Sequence, residues 1–175
     1  SLILHVRSPN IPTLDLVDLP GVVVCAADGE PEDMPQQTKR LVDEHIDQHG
    51  AHSVFLAIVD ATTAPNSAAG MQILREKGML DKTVGVITKC DELCTKQQKT
   101  KLLNRLAQTG DAVVLEPYGY VATMNAPIDE EEDEGSTNMQ KLQLQARKEP
   151  AWFAAEGYQD LVNKGNATTQ HLLSR

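Results

Sequence analysis

An α/β fold with a largely parallel sheet is the architecture this sequence predicts. Two observations carry that expectation. Apolar runs of strand length, residues 53–60 (SVFLAIVD) and 83–88 (TVGVIT), alternate with stretches whose apolar residues recur at helical spacing. Within those runs the apolar residues are consecutive rather than alternating, the pattern of parallel strands covered on both faces.

The elements follow in chain order. Leu2, Leu4 and Val6 alternate with Ile3, His5 and Arg7, close to the period of a half-buried strand. Ser8-Pro9-Asn10 turns the chain, and residues 13–18 read as a second strand, the hairpin partner of the first. Residues 24–35 are small, acidic and Pro-bearing, hence a loop. Leu41, Val42 and Ile46 mark a helix over 36–49, with Gly50 as its C-cap. The strand at 53–60 is followed by a helix at 67–77, the strand at 83–88, a helix at 95–108 and a short strand at 120–124. The acidic run 129–134 (DEEEDE) reads as a solvated loop insertion rather than a Ca²⁺ site. Helices are expected at 137–148 and 151–173, with Pro150 opening the second. No internal repeat occurs. The chain opens at Ser1 directly inside a strand pattern, which reads as the downstream part of a longer domain.

Composition narrows the function classes. One domain with a packed core is expected from 175 residues of which 41% are hydrophobic. With one Trp, three Tyr and two Phe, that core must be built mainly from Val, Leu, Ile and Ala. A net charge of −9 argues against a nucleic-acid or anionic-membrane surface, yet allows a phosphate ligand held by backbone amides. Cys25, Cys90 and Cys94 form no disulfide framework and fit a reducing, cytoplasmic setting. No apolar run approaches the ~20 residues of a membrane helix. The sequon at Asn166-Ala167-Thr168 is read as chance.

Three short stretches carry chemistry. Asp18-Leu19-Pro20-Gly21 stands where a strand is expected to end at the carboxyl edge of the sheet, the ligand-binding edge of α/β proteins. An Asp there can hold Mg²⁺ through water, and Gly21, lacking a Cβ, lets a backbone N–H approach a terminal phosphate. A second DxxG, Asp47 to Gly50, lies at an expected helix end, so position alone separates the two. Thr88-Lys89-Cys90-Asp91 again directly follows a strand. A carboxylate accepts two hydrogen bonds from guanine N1–H and the N2 amine, a donor pair that adenine lacks. Rejecting adenine by an unpaired buried carboxylate is worth ~1–3 kcal/mol or more. A Lys two residues earlier can lay its methylene stem along the base face. The simpler reading of each motif is a structural turn or an exposed Lys–Asp pair; their order, each after a strand, favours the ligand. Finally, residues 119–125 (GYVATMN) deliver Asn125 to the same edge as a third base-side loop.

These stretches resemble the dynamin family of large GTPases: LDLVDLPG at 14–21 within SPNIPTLDLVDLPGV, VGVITKCDEL from 84, and GYVATMN at 119–125. LQARKEPAWFAAEGYQDL is more loosely similar to the helices that close the family's GTPase domain and begin its neighbouring bundle. The resemblance implies a Ras-like, P-loop GTPase-type sheet, mostly parallel, flanked by helices and incomplete at its N-terminal side. It divides the chain into a partial GTPase domain, 1–148, and closing helices, 149–175. It implies GTP and GDP as ligands and Mg²⁺ as cofactor. Asp18 would be the Mg²⁺-water ligand and Gly21 the γ-phosphate contact; Thr88, Lys89 and Asp91 would form the guanine loop, with Asn125 as an additional base contact. It further implies GTP hydrolysis in the complete protein, self-association through the GTPase domain, and a cytoplasmic location peripheral to membranes, which other domains would contact. Nucleic acid is not an implied partner.

Departures from the family pattern favour an alternative, a GTP-sensing interaction module with little or no hydrolysis. The 175 residues hold no GxxxxGK[ST] and no counterpart of the family's switch threonine. Val24 replaces the usual Lys three residues past the DxxG glycine. Asp28-Gly29-Glu30-Pro31 stands at the family's Gly-Asp-Gln-Pro, and Ala126-Pro127 follows Asn125 in place of Arg-Ser. His45, His49 and His52 read as a polar helix end, Cys90 and Cys94 as unrelated to a metal. Trp152, Phe153 and Tyr158 read as a packing face rather than a stacking platform.

Overall fold

The computed structural model describes residues 15–22, 26, 28–125 and 136–174. The expected strand at 2–7, Val24, Ala126-Pro127 and the acidic run 129–134 lie outside the described residues.

The described elements are helix α1 (Met34–His49), strand β1 (Phe55–Asp60), helix α2 (Ala69–Glu76), strand β2 (Thr83–Thr88), helix α3 (Lys96–Leu106) and strand β3 (Tyr120–Ala122). Helices α4 (Asn138–Ala155), α5 (Gln159–Asn163) and α6 (Thr169–Leu172) complete the chain. The three strands form a parallel sheet in the order β1-β2-β3. The expected α/β class with a parallel sheet flanked by helices is what the chain adopts.

Local sequence explains several element limits. Pro35 occupies the first turn of α1, where its missing N–H costs nothing, and Val42 and Ile46, one turn apart, bury the same face. Helix α3 opens with a capping box: the Thr95 hydroxyl accepts from Gln98 N–H while the Gln98 side chain accepts from Thr95 N–H. Thr137 and Gln140 repeat that arrangement at α4.

Four expectations need correction. First, residues 15–18 of the expected 13–18 strand carry no strand pairing, and Leu16 and Val17 are exposed. A strand needs a hydrogen-bonding neighbour, and among the described residues the only partner of β1 is β2. Second, β1 is not covered on both faces. Ala57 and Val59 are buried, but Leu56 is 47% and Ile58 62% exposed. Central β2, by contrast, is buried from Thr83 through Ile87. Third, Pro150 does not start a helix; it lies inside α4. The carbonyl it leaves without a donor belongs to Ala146, which is exposed, so solvent can replace that bond. Fourth, 151–173 is not one helix. Gly157 and Gly165, at φ +84° and +73°, end α4 and α5, and Ala167 bridges Ala122 in parallel beside β3.

The core lies between the sheet and helices and draws on both ends of the chain. Ile46, Val59, Met71, Ile87, Leu102 and Leu115 pack with Tyr120, Phe153, Tyr158 and Ala167. Leu19 and Val22 are half-buried against it. They border an open apolar cavity of about 380 Å³ between α1, β1 and α2.

One contact makes a sharp demand. Tyr120 lies opposite Gly85 in the β2–β3 register, and any Cβ at position 85 would fall inside its ring. The ring cannot retreat, because its hydroxyl accepts from Val113 N–H and donates to Val113 O in the interior. Gly85→Ala is therefore expected to destabilise the fold by about 2–3 kcal/mol. Denaturant unfolding measures this, and a change below 1 kcal/mol would show that the ring is free to move.

Candidate functional site

Parallel pairing brings the carboxyl ends of all three strands to one edge. Asp60 lies opposite Thr88, and Ala61 N–H donates to Thr88 O at 2.9 Å. On the other side of β2, Thr123 N–H donates to Ile87 O, and Cys90 N–H donates back to Thr123 O. The loops beginning at Asp60, Thr88 and Thr123 are thus neighbours because their strands are.

The predicted guanine loop turns on Lys89, which holds a left-handed backbone (φ 55°, ψ 40°) before the single helical turn Cys90–Glu92. That conformation is uncommon for a residue with a Cβ and costs of order 1–3 kcal/mol, so the surroundings must impose it. Two anchors are visible. Cys90 is fully buried, with its thiol directed to Ile87 O, and Leu93 is buried after the turn. Between these anchors Asp91 projects into solvent, and among the described residues no hydrogen bond or ion pair engages its carboxylate. A carboxylate held by its backbone but unpaired at its oxygens is what a ligand with two donors requires.

Lys89 is oriented by a residue the sequence reading missed. Its Nζ lies 3.0 Å from Asp60 Oδ2 and 3.7 Å from Glu92 Oε1. Asp60 is itself held in a tight turn, accepting from the Thr62 hydroxyl at 2.6 Å and Thr62 N–H at 2.8 Å. The Thr62 hydroxyl, then the Thr62 amide and Lys89, keep the Asp60 carboxyl below its ordinary value; Asp60, followed by Glu92, raises the Lys89 ammonium. The available signal was positional: Asp60 ends β1 just as Thr88 ends β2.

Thr88 is half-buried, its hydroxyl reaching towards Val59 O at 3.4 Å. Asn125 is exposed two residues beyond Thr123, at the same edge as Asp91. Asp18 and Gly21 are exposed on the segment anchored by Leu19 and Val22, on the α1–β1–α2 side. Among the described residues no hydrogen bond or ion pair joins them to the guanine loop, and a Cβ at Gly21 would meet nothing within 4 Å. The structure thus sets Thr88, Lys89, Asp91 and Asn125 at the carboxyl ends of β2 and β3, and Gly21 beside the cavity between α1, β1 and α2.

Cys90 and Cys94 differ sharply in environment. Burial pushes the Cys90 thiol up to about 12, whereas Cys94 is exposed. Since the thiolate is the reactive form, iodoacetamide at pH 8 should label Cys94 and spare Cys90 until the protein is unfolded. Peptide mass mapping reads the outcome, and equal native labelling of the two would contradict the burial of Cys90.

No family model matches the chain. Curated proteins do. It is 27% identical over 175 residues to interferon-induced GTP-binding protein Mx2 of Bos taurus, an alignment covering 98% of this chain and 23% of that protein. It is 32% identical over 125 residues to vacuolar protein sorting-associated protein 1 of Schizosaccharomyces pombe, covering 70% of this chain and 17% of the relative. Dynamin-like GTPase MGM1, mitochondrial, of Chaetomium thermophilum is 37% identical over 89 residues, half of this chain and 9% of the relative. The chain therefore spans less than a quarter of the length of these relatives.

Proposed function

Since this chain belongs to the dynamin family of large GTPases, we propose that its β2–β3 edge is the guanine-reading side of a GTP-binding site. The observation that carries this reading is Asp91. Its backbone is fixed by buried Cys90 and Leu93, its carboxylate is exposed with no partner among the described residues, and Lys89 and Asn125 share its edge. Asp91 would accept from guanine N1–H and N2, and the Lys89 stem would lie along the base. Asp60 would hold the ammonium so that the stem keeps that direction.

Asp18 would hold Mg²⁺ through water, with Gly21 N–H approaching the γ-phosphate. Mg²⁺ bound to nucleotides commonly needs one or two carboxylates beside phosphate oxygens, so a single exposed Asp fits that role. When bound, the ion would supply charge neutralisation at the phosphates. These 175 residues contain no GxxxxGK[ST], so by themselves they provide no phosphate cradle and are not expected to hydrolyse GTP. Turnover, self-association and contact with membranes from the cytoplasmic side are proposed for the full-length protein. Among the described residues no helix is long and apolar enough to cross a membrane.

A second reading, a GTP sensor with little hydrolysis, is favoured by Gly29. It adopts φ +87° where the family pattern has Asp, a conformation that a side chain adopts only with strain. Titration of the full-length protein with GTP, GDP and ATP, followed by phosphate release, separates the outcomes. Guanine-selective binding with turnover supports the enzyme, and selective binding without turnover supports the sensor. Absence of guanine selectivity would overturn both.

A further inference from the structure

We propose that Glu149 is a positioning residue for base recognition, acting on Asn125 through the backbone of Met124; this rests on reading the β2–β3 edge as the guanine side. Glu149 lies on α4 and is only 4% exposed. Its Oε1 accepts from Met124 N–H at 3.1 Å and from the Thr169 hydroxyl at 3.2 Å, while Oε2 accepts from Thr169 N–H at 2.8 Å. Among the described residues no Lys, Arg or His side chain forms an ion pair with it. A buried carboxyl group without a cation depends on hydrogen-bond donors, and among the described residues these three supply them.

Those donors come from the corner that presents Asn125. Met124 precedes Asn125 directly. The residue before it, Thr123, receives Cys90 N–H from the guanine loop. On the far side, Ala122 N–H donates to Asn166 O at 2.9 Å and Thr168 N–H to Ala122 O at 2.8 Å, laying 166–168 along β3. Thr168 sits there at φ 88°, ψ 146°, a conformation that strains a β-branched side chain, and it is buried. A buried carboxyl group held by three donors and a strained backbone therefore meet at one corner. Such costs persist where the surroundings over-determine a geometry, and the geometry held here is the exit of β3 into Asn125.

The test uses the full-length protein and the dissociation rate of a fluorescent GDP analogue. Glu149→Gln puts an amide donor opposite a backbone donor, so dissociation should quicken by about fivefold, less than a full hydrogen-bonded group confers because the strand ladder remains. In an Asn125→Ala background the same change should have no further effect, because a residue that acts through Asn125 is silent once Asn125 is removed. Equal acceleration in both backgrounds would overturn the proposal and assign Glu149 a structural role only. Should Glu149→Gln fail to fold, Thr169→Ala removes one hydroxyl donor more gently. It should quicken release about twofold, again only when Asn125 is present, and an equal effect in both backgrounds would be equally adverse. If the wild-type protein binds no guanine nucleotide, the reading of the edge itself falls, and the positioning role with it.

Discussion

Replacing Asp91 with Asn is expected to invert nucleotide preference, weakening GTP by roughly 10²–10³-fold and strengthening xanthosine triphosphate. Two charge-assisted hydrogen bonds to guanine are lost, and the new amide nitrogen faces the guanine amine, donor against donor. Xanthine carries a carbonyl at that position and accepts from the new amide. The effect should be confined to the ligand, because Asp91 is exposed and no partner within the described protein depends on its charge. Fluorescence titration of the full-length variant with both triphosphates gives the answer. Retained preference for GTP would remove the guanine loop from the account. Unfolding of the variant would instead show that Asp91 has a structural partner.

Arg105→Ala should cost about 3 kcal/mol of stability, as much as any single change named above. Arg105 is 3% exposed on α3 and each of its nitrogens is engaged: Nη1 donates to Ala61 O at 2.6 Å, Nε to Asp111 Oδ1 at 2.9 Å and Nη2 to Asp111 Oδ2 at 2.8 Å. Asp111 O in turn accepts from Asn66 N–H. This fork ties α3 to the segment leaving β1, immediately after Asp60. Truncation strands a buried carbonyl, and strands a carboxylate that is partly solvated, which holds the cost near the lower end of what broken buried pairs show. Lys should rescue poorly, having no planar fork to match the carboxylate.

The same pair gives a pH dependence with a definite sign. The Arg105 hydrogen bonds, as the largest cause, hold the Asp111 carboxyl below its ordinary value of 3.8. A group depressed in the folded state stabilises above its unfolded value and loses that contribution as pH falls through the folded one. Wild-type stability should therefore decline below pH ~4 more steeply than that of Arg105→Ala. Parallel acid-denaturation curves would mean that Asp111 does not respond to Arg105.

Residues whose role depends on their own neighbourhood in sequence were legible. TVGVIT followed by TKCD places a carboxylate just past a buried strand, and Leu41, Val42 and Ile46 mark the helix that precedes the first strand of the sheet. Hydrophobic spacing acts over a few residues, so a linear reading captures it. It set Thr88, Lys89 and Asp91 at the end of one strand and Asn125 past the end of another, and these two strands pair in parallel.

Contacts across the chain were not legible. Nothing in the spacing of Glu149 says that it will meet Met124, 25 residues earlier, and Thr169, 20 residues later. Arg105 reads as one more cation on a polar helix until Asp111 folds back beneath it. Pro150 carries a genuine helix-start signal, yet it lies inside α4, where the carbonyl it deprives belongs to exposed Ala146. Leu56 and Ile58 read as interior, yet only the sheet's neighbours determine which face of β1 is covered. By itself, then, the sequence determined the α/β class and set a lysine and a carboxylate just past a buried strand, because both depend on local periodicity and on residue order at strand ends. The tertiary structure alone decided how Lys89, Asn125 and the segment leaving β1 are held, because burial selects among distant charged and polar groups those that can satisfy one another.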